Sequence, residues 1–115
     1  GSALFHEGSL YPNTELGFLK IKGRYGENYA ANSIREAEHL SWSQWGKRFS
    51  RYLKRVEFLL TPDLFILGGG ISKKFNLYEP YLKCDTPIIP AQLKNNAGII
   101  GAAVGAGHYF EKSSD

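Results

Sequence analysis

Cysteine, methionine and long apolar runs are what this sequence has least of. Cys84 is the only cysteine among 115 residues, so it can form no internal disulfide, and no neighbouring thiol could complete a metal site. No apolar run approaches the roughly 20 residues that a membrane helix needs, and we expect no signal peptide because no basic segment precedes an apolar one. Disulfide-rich secreted proteins and membrane-spanning proteins are therefore poor matches, and we predict a cytoplasmic, reducing location.

Charge is also modest. The formal net charge is +3 at pH 7, which is too weak by itself to predict a nucleic-acid partner. Hydrophobic residues make up 43% of the chain and aromatic residues 14%, enough for a single domain, 1–115, with its own core. Since methionine is missing altogether, we expect a piece of a longer protein, in which Gly1 and Ser2 are either native or a cloning remnant.

Patterns that mark catalysis or metal binding by themselves are missing. His6, His39 and His108 are scattered and lack the spacing of metal ligands. No spacing makes two carboxylates an acid and base pair, and no nucleophile has a histidine partner in a recognisable motif. Spacing alone therefore predicts neither a metal site nor a catalytic residue.

A strand that ends at three glycines is the most informative motif present. The apolar residues Leu64–Leu67 run into Gly68, Gly69 and Gly70, and Ile71–Phe75 follows as the start of a helix. Such a break brings backbone amides to a nucleotide or phosphate in α/β proteins, because glycine lacks a Cβ and tolerates positive φ. A tight turn without a ligand has the same pattern, so the glycine run alone leaves both interpretations open.

The amino-terminal segment predicts three antiparallel strands. Ala3–His6 and Leu10–Tyr11 are expected to form a hairpin, and a third strand is expected near Gly17–Lys22. Side chains alternate across a strand, so one face of the third strand would be apolar. Its opposite face would carry Phe18, Lys20 and Lys22.

Helices and short buried strands alternate in the rest of the chain. Ser41 and Gln44 form a capping box that begins the longest helix, which ends before Pro62. The other expected elements are a helix over Asn28–His39, a strand over Asp63–Leu67, a helix over Ile71–Leu82, a strand over Thr86–Ala91 and a helix over Asn95–Glu111. These patterns predict an α/β fold whose mixed sheet has a three-stranded antiparallel start and is covered by helices.

The longest helix carries a basic face opposite its apolar stripe. Its members are Lys47, Arg48, Arg51, Lys54 and Arg55. A solvated helix face explains this pattern and is the favoured interpretation, because aromatic residues do not alternate with the charges as they do on nucleic-acid surfaces. The other interpretation is a polyanion track, whose binding would weaken steeply with salt.

Three segments, read in order, carry a resemblance to a known family. They are Pro12–Gly17 (PNTELG), Leu64–Lys74 (LFILGGGISKK) and Pro90–Ala103 (PAQLKNNAGIIGAA). Together they resemble the carboxyl-terminal lobe of the polyphosphate glucokinases, within the ROK family of sugar kinases. The resemblance implies a ribonuclease-H-like (actin-like ATPase) α/β lobe, of which this chain is the second of two that close on a sugar and a phosphoryl donor.

The resemblance also implies where the substrates bind. Glu15 matches the glutamate of the family's sugar-binding Glu-x-Gly-His motif, and Phe18 stands where that motif has histidine. A phenyl ring can stack on a sugar but cannot make the histidine's hydrogen bonds, whose loss typically costs about 1–3 kcal/mol. The residues that resemble the nucleotide-binding or polyphosphate-binding motifs are Gly1, Ser2, Gly68, Gly69, Gly70 and Ser72.

The chain differs from the family pattern a second time, at the catalytic residue. The family's catalytic aspartate belongs to the other lobe and has no counterpart in this chain. We therefore expect a part of a glucokinase that uses Mg²⁺ with ATP or polyphosphate, inactive alone, with the other lobe or a second copy as its partner. The alternative is a non-catalytic dimerisation or ligand-sensing module derived from such a kinase. An upstream reading frame with an Asp-x-Gly-Gly-Thr motif would favour the enzyme.

Overall fold

The computed structural model describes residues 4–7, 9–11 and 16–91. The helix expected over Asn95–Glu111 lies outside this part of the chain. The longest element of the described residues is a helix, Trp42–Leu60, whose Ser41 cap is present as expected. The Gln44 amide donates to Ser41 Oγ at 3.1 Å, and the Ser41 amide donates to Gln44 Oε1 at 2.9 Å. This capping box satisfies amides that a helix start leaves without partners, so the prediction from the sequence is confirmed.

The core forms around two aromatic side chains that solvent does not reach. Trp45, on the long helix, and Tyr78 are each 0% exposed, and their ring centroids lie 4.8 Å apart at an interplanar angle of 88°. Phe49 stacks on Trp45 at 5.0 Å. The indole Nε1 of Trp45 donates to the Ala30 carbonyl at 3.0 Å, which satisfies its polar atom inside the core.

The strands near the amino terminus pair differently from the prediction. Leu4–His6 (β1) and Ser9–Tyr11 (β2) form the expected antiparallel hairpin. The expected third strand is only Lys20–Ile21 (β3), and it pairs with Arg24–Tyr25 (β4) in a separate sheet. The three-stranded antiparallel start is therefore not found among the described residues.

Local turns explain why the third strand is so short. Leu16–Phe18 forms a 3₁₀ turn, which leaves this segment out of extended conformation. Lys22 and Gly23 have φ values of 52° and 80°, the positive values that a two-residue type I′ hairpin loop requires. The chain therefore reverses after Ile21, and β3 pairs with the next segment instead of with β1 or β2.

The helix expected over Asn28–His39 is divided. Gly26–Ala30 (α1) and Asn32–Ala37 (α2) are separate helices, and Ala31 between them is extended at φ −68° and ψ 151°. The Tyr29 and Ala30 carbonyls accept hydrogen bonds from Arg48 and Trp45 of the long helix, which we label α3. A continuous helix would need those carbonyls for its own ladder. Tertiary contacts therefore break a helix that local periodicity favours.

The second half alternates strands and helical turns, as expected. Phe65–Leu67 (β5) and Ile88–Pro90 (β6) are parallel neighbours. The helix expected over Ile71–Leu82 consists of a 3₁₀ turn, a short α-helix and a second 3₁₀ turn, namely Gly70–Lys74, Phe75–Tyr78 (α4) and Glu79–Tyr81. Pro80 lies in the last of these, where it has no amide to continue an α-helix. Among the described residues, no helix is both long and apolar enough to span a membrane.

Two side chains of α3 hold the segment that leads into β6. Glu57 accepts hydrogen bonds from the Thr86 amide at 2.6 Å and from Thr86 Oγ1 at 2.5 Å. Ser50 Oγ accepts from the Lys83 amide at 2.8 Å. The Thr86 donors favour the charged carboxylate and so lower the pKa of Glu57. The longest helix thereby positions the parallel strand pair, whose first strand runs into Gly68–Gly70.

Candidate functional site

The three glycines lie at one edge of the parallel strand pair. β5 ends at Leu67, whose carbonyl accepts the Ala91 amide at 2.8 Å, so Gly68 and Ala91 leave the sheet side by side. Gly68–Gly70 are exposed, and no described atom lies within 4 Å of where a Cβ would sit on any of them. Ligands of open α/β sheets bind at such carboxyl ends of strands. We call Gly68–Ser72 the glycine loop.

Gly69 has a conformation that only glycine adopts easily. Its φ of 78° and ψ of −169° lie in a region that a Cβ disfavours strongly. Its carbonyl accepts the Ser72 amide at 3.2 Å and Ser72 Oγ at 2.7 Å. In this structure the hydroxyl of Ser72 therefore holds the turn, although the sequence resemblance implied a donor-binding role for it.

The glycine loop is anchored to the aromatic core. Tyr78 donates its hydroxyl hydrogen to the Ile71 carbonyl at 2.8 Å, and its ring packs against Trp45. Burial raises the pKa of Tyr78 to about 12, so the hydroxyl stays protonated and remains a donor. The open backbone at Gly68–Gly70 is thus close to a residue whose carbonyl is bonded to the most deeply buried part of the described fold.

Replacing Gly69 with alanine is expected to lower the free energy of unfolding by about 1–3 kcal/mol, because the new Cβ is strained at this φ and ψ. Gly70→Ala is the matched control, since Gly70 lacks a positive φ and has space for a Cβ. We expect the control to change stability by less than about 0.5 kcal/mol. Urea unfolding measures both, and equal values for the two variants would contradict this account of the loop.

The expected sugar-binding residues are only partly described. Glu15, like Gly1 and Ser2, lies outside the described residues. Phe18 is 52% exposed, and its ring centroid lies 5.4 Å from that of Tyr25, itself 44% exposed. Phe18 therefore faces away from the core, as expected, but it packs beside the β3–β4 hairpin and not beside the glycine loop. The structure brings together Gly68, Gly69, Gly70 and Ser72 and places Phe18 on another element.

The basic residues of α3 differ in whether they form an ion pair with a carboxylate. Arg48 donates to the Tyr29 carbonyl at 3.2 Å and to Glu38 at 3.1 Å, so it is a packing residue. Arg24 donates to the other oxygen of Glu38 at 2.8 Å, and the two guanidinium groups lower the pKa of that carboxyl. Lys54 and Arg55 form no ion pair with a carboxylate among the described residues.

Sequence reasoning missed that β3 adds to this basic face. An open groove of about 410 Å³ runs between the β3–β4 hairpin and α3. Its lining residues are Lys20, Ile21, Lys22, Arg51, Lys54, Arg55 and Phe58. The alternation that placed Lys20 and Lys22 on one face was the available signal, but the sequence did not show which element that face would meet.

Carboxylates and other metal ligands do not cluster in the described part of the chain. No group of three or more His, Cys, Asp or Glu side chains there could hold a metal ion. Mg²⁺ in kinase sites is commonly held through one or two carboxylates together with substrate phosphates. The described residues therefore do not fit a dedicated magnesium site.

Known proteins resemble this chain over nearly its whole length. A polyphosphate glucokinase from Mycobacterium tuberculosis (strain CDC 1551 / Oshkosh) is 46% identical over 104 residues, 90% of this chain and 39% of the relative. The crystal structure of an inorganic polyphosphate/ATP-glucomannokinase from Arthrobacter sp. strain KM matches with a TM-score of 0.81 and 48% identity, over 95% of this chain and 43% of that one. No family model matches the chain.

A more distant structure agrees on the fold. A protein from Cytophaga hutchinsonii, described as a sugar kinase, matches with a TM-score of 0.62 at 20% identity, over 92% of this chain and 54% of that one. The chain spans about two fifths of the length of the curated relatives it matches. The expected resemblance to polyphosphate glucokinases is confirmed, and the α/β arrangement of the described residues is similar to that part of the solved sugar kinases.

Proposed function

We propose that this chain forms the carboxyl-terminal lobe of a glucokinase that transfers phosphate from polyphosphate or ATP to glucose. The observation that carries the proposal is the glycine loop, an exposed, core-anchored backbone segment at the carboxyl ends of two parallel strands. Backbone without side chains at this position allows phosphate oxygens to approach main-chain amides closely. The 46% identity to a polyphosphate glucokinase supports the same assignment.

The two substrates are assigned to different parts of the lobe. Gly68, Gly69 and Gly70 would lie against the phosphoryl donor, with Gly1 and Ser2 as the end of a preceding phosphate loop. Glu15 would accept hydrogen bonds from sugar hydroxyls, and the exposed ring of Phe18 would stack on the sugar. In this arrangement the chain binds and orients substrates, while the base that removes the hydroxyl proton comes from the other lobe.

The complete kinase would be a two-lobe protein of the ribonuclease-H-like type. Phosphoryl transfer depends on holding both reactants and on stabilising charge across a closed cleft. Mg²⁺ would arrive with ATP or polyphosphate and neutralise phosphate charge. We propose a cytoplasmic location, and either the missing lobe or a second copy of this chain as the partner.

Amide-shift titration of the isotope-labelled 115-residue chain tests the proposal. Glucose is expected to shift amides between Glu15 and Phe18, and ATP with Mg²⁺ or polyphosphate is expected to shift those of the glycine loop. Galactose is the control for glucose, because it is another hexose, and sulfate is the control for the phosphoryl donors, because it is another anion. If neither glucose nor any donor shifts these amides more than its control does, the kinase assignment is wrong.

One observation favours a second function. Phe18 replaces the histidine of the sugar-binding motif and instead pairs with Tyr25 on the surface. An exposed aromatic pair also suits a non-catalytic module that dimerises or senses a ligand. Concentration-dependent sedimentation with no response to glucose would support that module, and Phe18→His restoring a glucose response would contradict it.

A further inference from the structure

The exposed backbone of the glycine loop is held from two sides. On one side, Leu67 ends β5, and its carbonyl accepts the Ala91 amide at 2.8 Å. On the other side, the Ile71 carbonyl accepts the Tyr78 hydroxyl at 2.8 Å. Gly68–Gly70 lie between these two bonds, so their position depends on where the strand pair and the Tyr78 side chain are fixed.

The strand pair has few contacts of its own to fix it. β5 and β6 are three residues long each, and among the described residues they pair only with each other. Pro90, the last residue of β6, has no amide hydrogen to donate. β5 buries Leu67 in the core, whereas no residue of β6 is fully buried. Since a two-stranded pair this short is at best marginally stable by itself, β6 needs a contact from outside the pair.

A carboxylate on α3 supplies that contact. Oε2 of Glu57 accepts the Thr86 amide at 2.6 Å and Thr86 Oγ1 at 2.5 Å, two residues before β6 begins. Between Thr86 and β6, the Pro87 carbonyl accepts the Phe65 amide of β5 at 2.9 Å. Hydrogen bonds to a charged acceptor are roughly twice as strong as those between neutral groups. One side chain of the longest helix therefore fixes the start of β6 and, through Pro87, its register against β5.

We propose that Glu57 is a positioning residue for the phosphoryl donor. By holding Thr86 it fixes β6 against β5, and the bond between Leu67 and Ala91 at the opposite end then sets where the glycine loop begins. The strands span about 10 Å between the two ends, so Glu57 acts through them and does not touch the donor. Main-chain amides that are already in place bind phosphate oxygens at a lower entropic cost. The inference rests on the proposed function and deepens it by naming the contact that holds the donor side in place.

A matched pair of variants on the same helix tests the inference. Glu57→Ala removes the acceptor for Thr86, while Ser50→Ala removes the hydroxyl that accepts the Lys83 amide at 2.8 Å, outside the strand pair. Binding of ATP with Mg²⁺ to the full 115-residue chain is measured from the amide shifts of the glycine loop. We expect Glu57→Ala to raise the Kd about three- to tenfold. Ser50→Ala should change it by less than about twofold, because it shares no partner with Thr86. Glucose-induced shifts should be the same in both variants.

Conservative variants give a readout that general destabilisation would not. Glu57→Gln keeps an accepting oxygen, so the Kd should return to within about threefold of that of the unmodified chain. Thr86→Val removes the hydroxyl donor, and in the Glu57→Ala background it should raise the Kd no further. Such non-additivity is expected of two groups that act through one contact. Circular dichroism checks that each variant is folded. If Glu57→Ala is not, Thr86→Val is compared with Thr86→Ser, which keeps both donors and should bind ATP more tightly.

The outcomes separate this inference from the proposed function. Equal weakening in Glu57→Ala and Ser50→Ala would overturn the inference, because the loop would then respond to any lost contact of α3. An unchanged Kd in Glu57→Ala, with donor shifts present in the unmodified chain, would also overturn it but leave the kinase assignment intact. If the unmodified chain shows no donor shifts, the kinase assignment and the inference are rejected together.

Discussion

Trp45→Ala is expected to lower the free energy of unfolding by about 3–5 kcal/mol. Trp45 is 0% exposed and lies 5.0 Å from the Phe49 ring and 4.8 Å from the Tyr78 ring, so truncation leaves a cavity at the centre of the core. It also leaves the Ala30 carbonyl without the indole donor at 3.0 Å. The free energy of unfolding of a small domain is only about 5–15 kcal/mol in total, so we expect this variant to be close to unfolding.

Urea unfolding monitored by circular dichroism measures the loss. Phe58→Ala is the matched control, because it truncates another aromatic side chain of α3 that is 77% exposed, and we expect a change within about 0.5 kcal/mol. Trp45→Phe should give an intermediate loss of about 1–3 kcal/mol, since it keeps a ring but removes the hydrogen bond to Ala30. Equal losses for Trp45→Ala and Phe58→Ala would show that the core is not centred on Trp45.

The purified 115-residue chain is expected to form no glucose 6-phosphate from ATP or polyphosphate, even at saturating substrate. Holding both reactants in the reactive geometry can lower the activation barrier by about 7–11 kcal/mol. A single lobe would contact them from one side only, so we expect it to lose most of that effect. The resemblance also implies that the aspartate that removes the hydroxyl proton belongs to the other lobe of such a kinase. We therefore expect binding of substrates without turnover.

A coupled assay of glucose 6-phosphate formation measures this, with chain prepared from a host that lacks its own glucokinases. The Arthrobacter glucomannokinase, assayed in parallel, is the positive control. Residual activity should fall in proportion to contaminant removal across successive purification steps. A rate that remains constant per mole of chain would contradict the proposal and would mean that this lobe, or a dimer of it, contains a complete catalytic site.

The sequence predicted the glycine loop and the capped long helix, but not the groove between the β3–β4 hairpin and α3. The end of a strand at Gly68–Gly70 was predicted correctly, because an apolar run that ends in three glycines is a local signal. The conformation of Gly69 and the use of Ser72 Oγ within the turn became clear only in the structure. The sugar-side prediction for Glu15 stays a prediction, because Glu15 lies outside the described residues, and Phe18 was placed correctly on the exposed side.

The sequence by itself determined the features whose partners lie within a few residues along the chain, such as the two ends of α3. The Ser41–Gln44 box begins α3 and the αL cap at Thr61 ends it before Pro62, because side-chain and backbone partners lie within one turn. Tertiary structure alone decided what depends on distant partners. Bonds from Trp45 and Arg48 to the Ala30 and Tyr29 carbonyls divide one predicted helix into two.

The same distinction explains the strands and the groove. The reversal at Lys22 and Gly23 gives β3 a partner that alternation could not identify, since a side-chain period of two fixes faces but not neighbours. It also brings Lys20 and Lys22 to the basic residues of α3, about 30 positions later in the chain. Local chemistry therefore set where the elements begin and end, while packing set which charges meet, because contact between distant segments depends on the shape of the whole core.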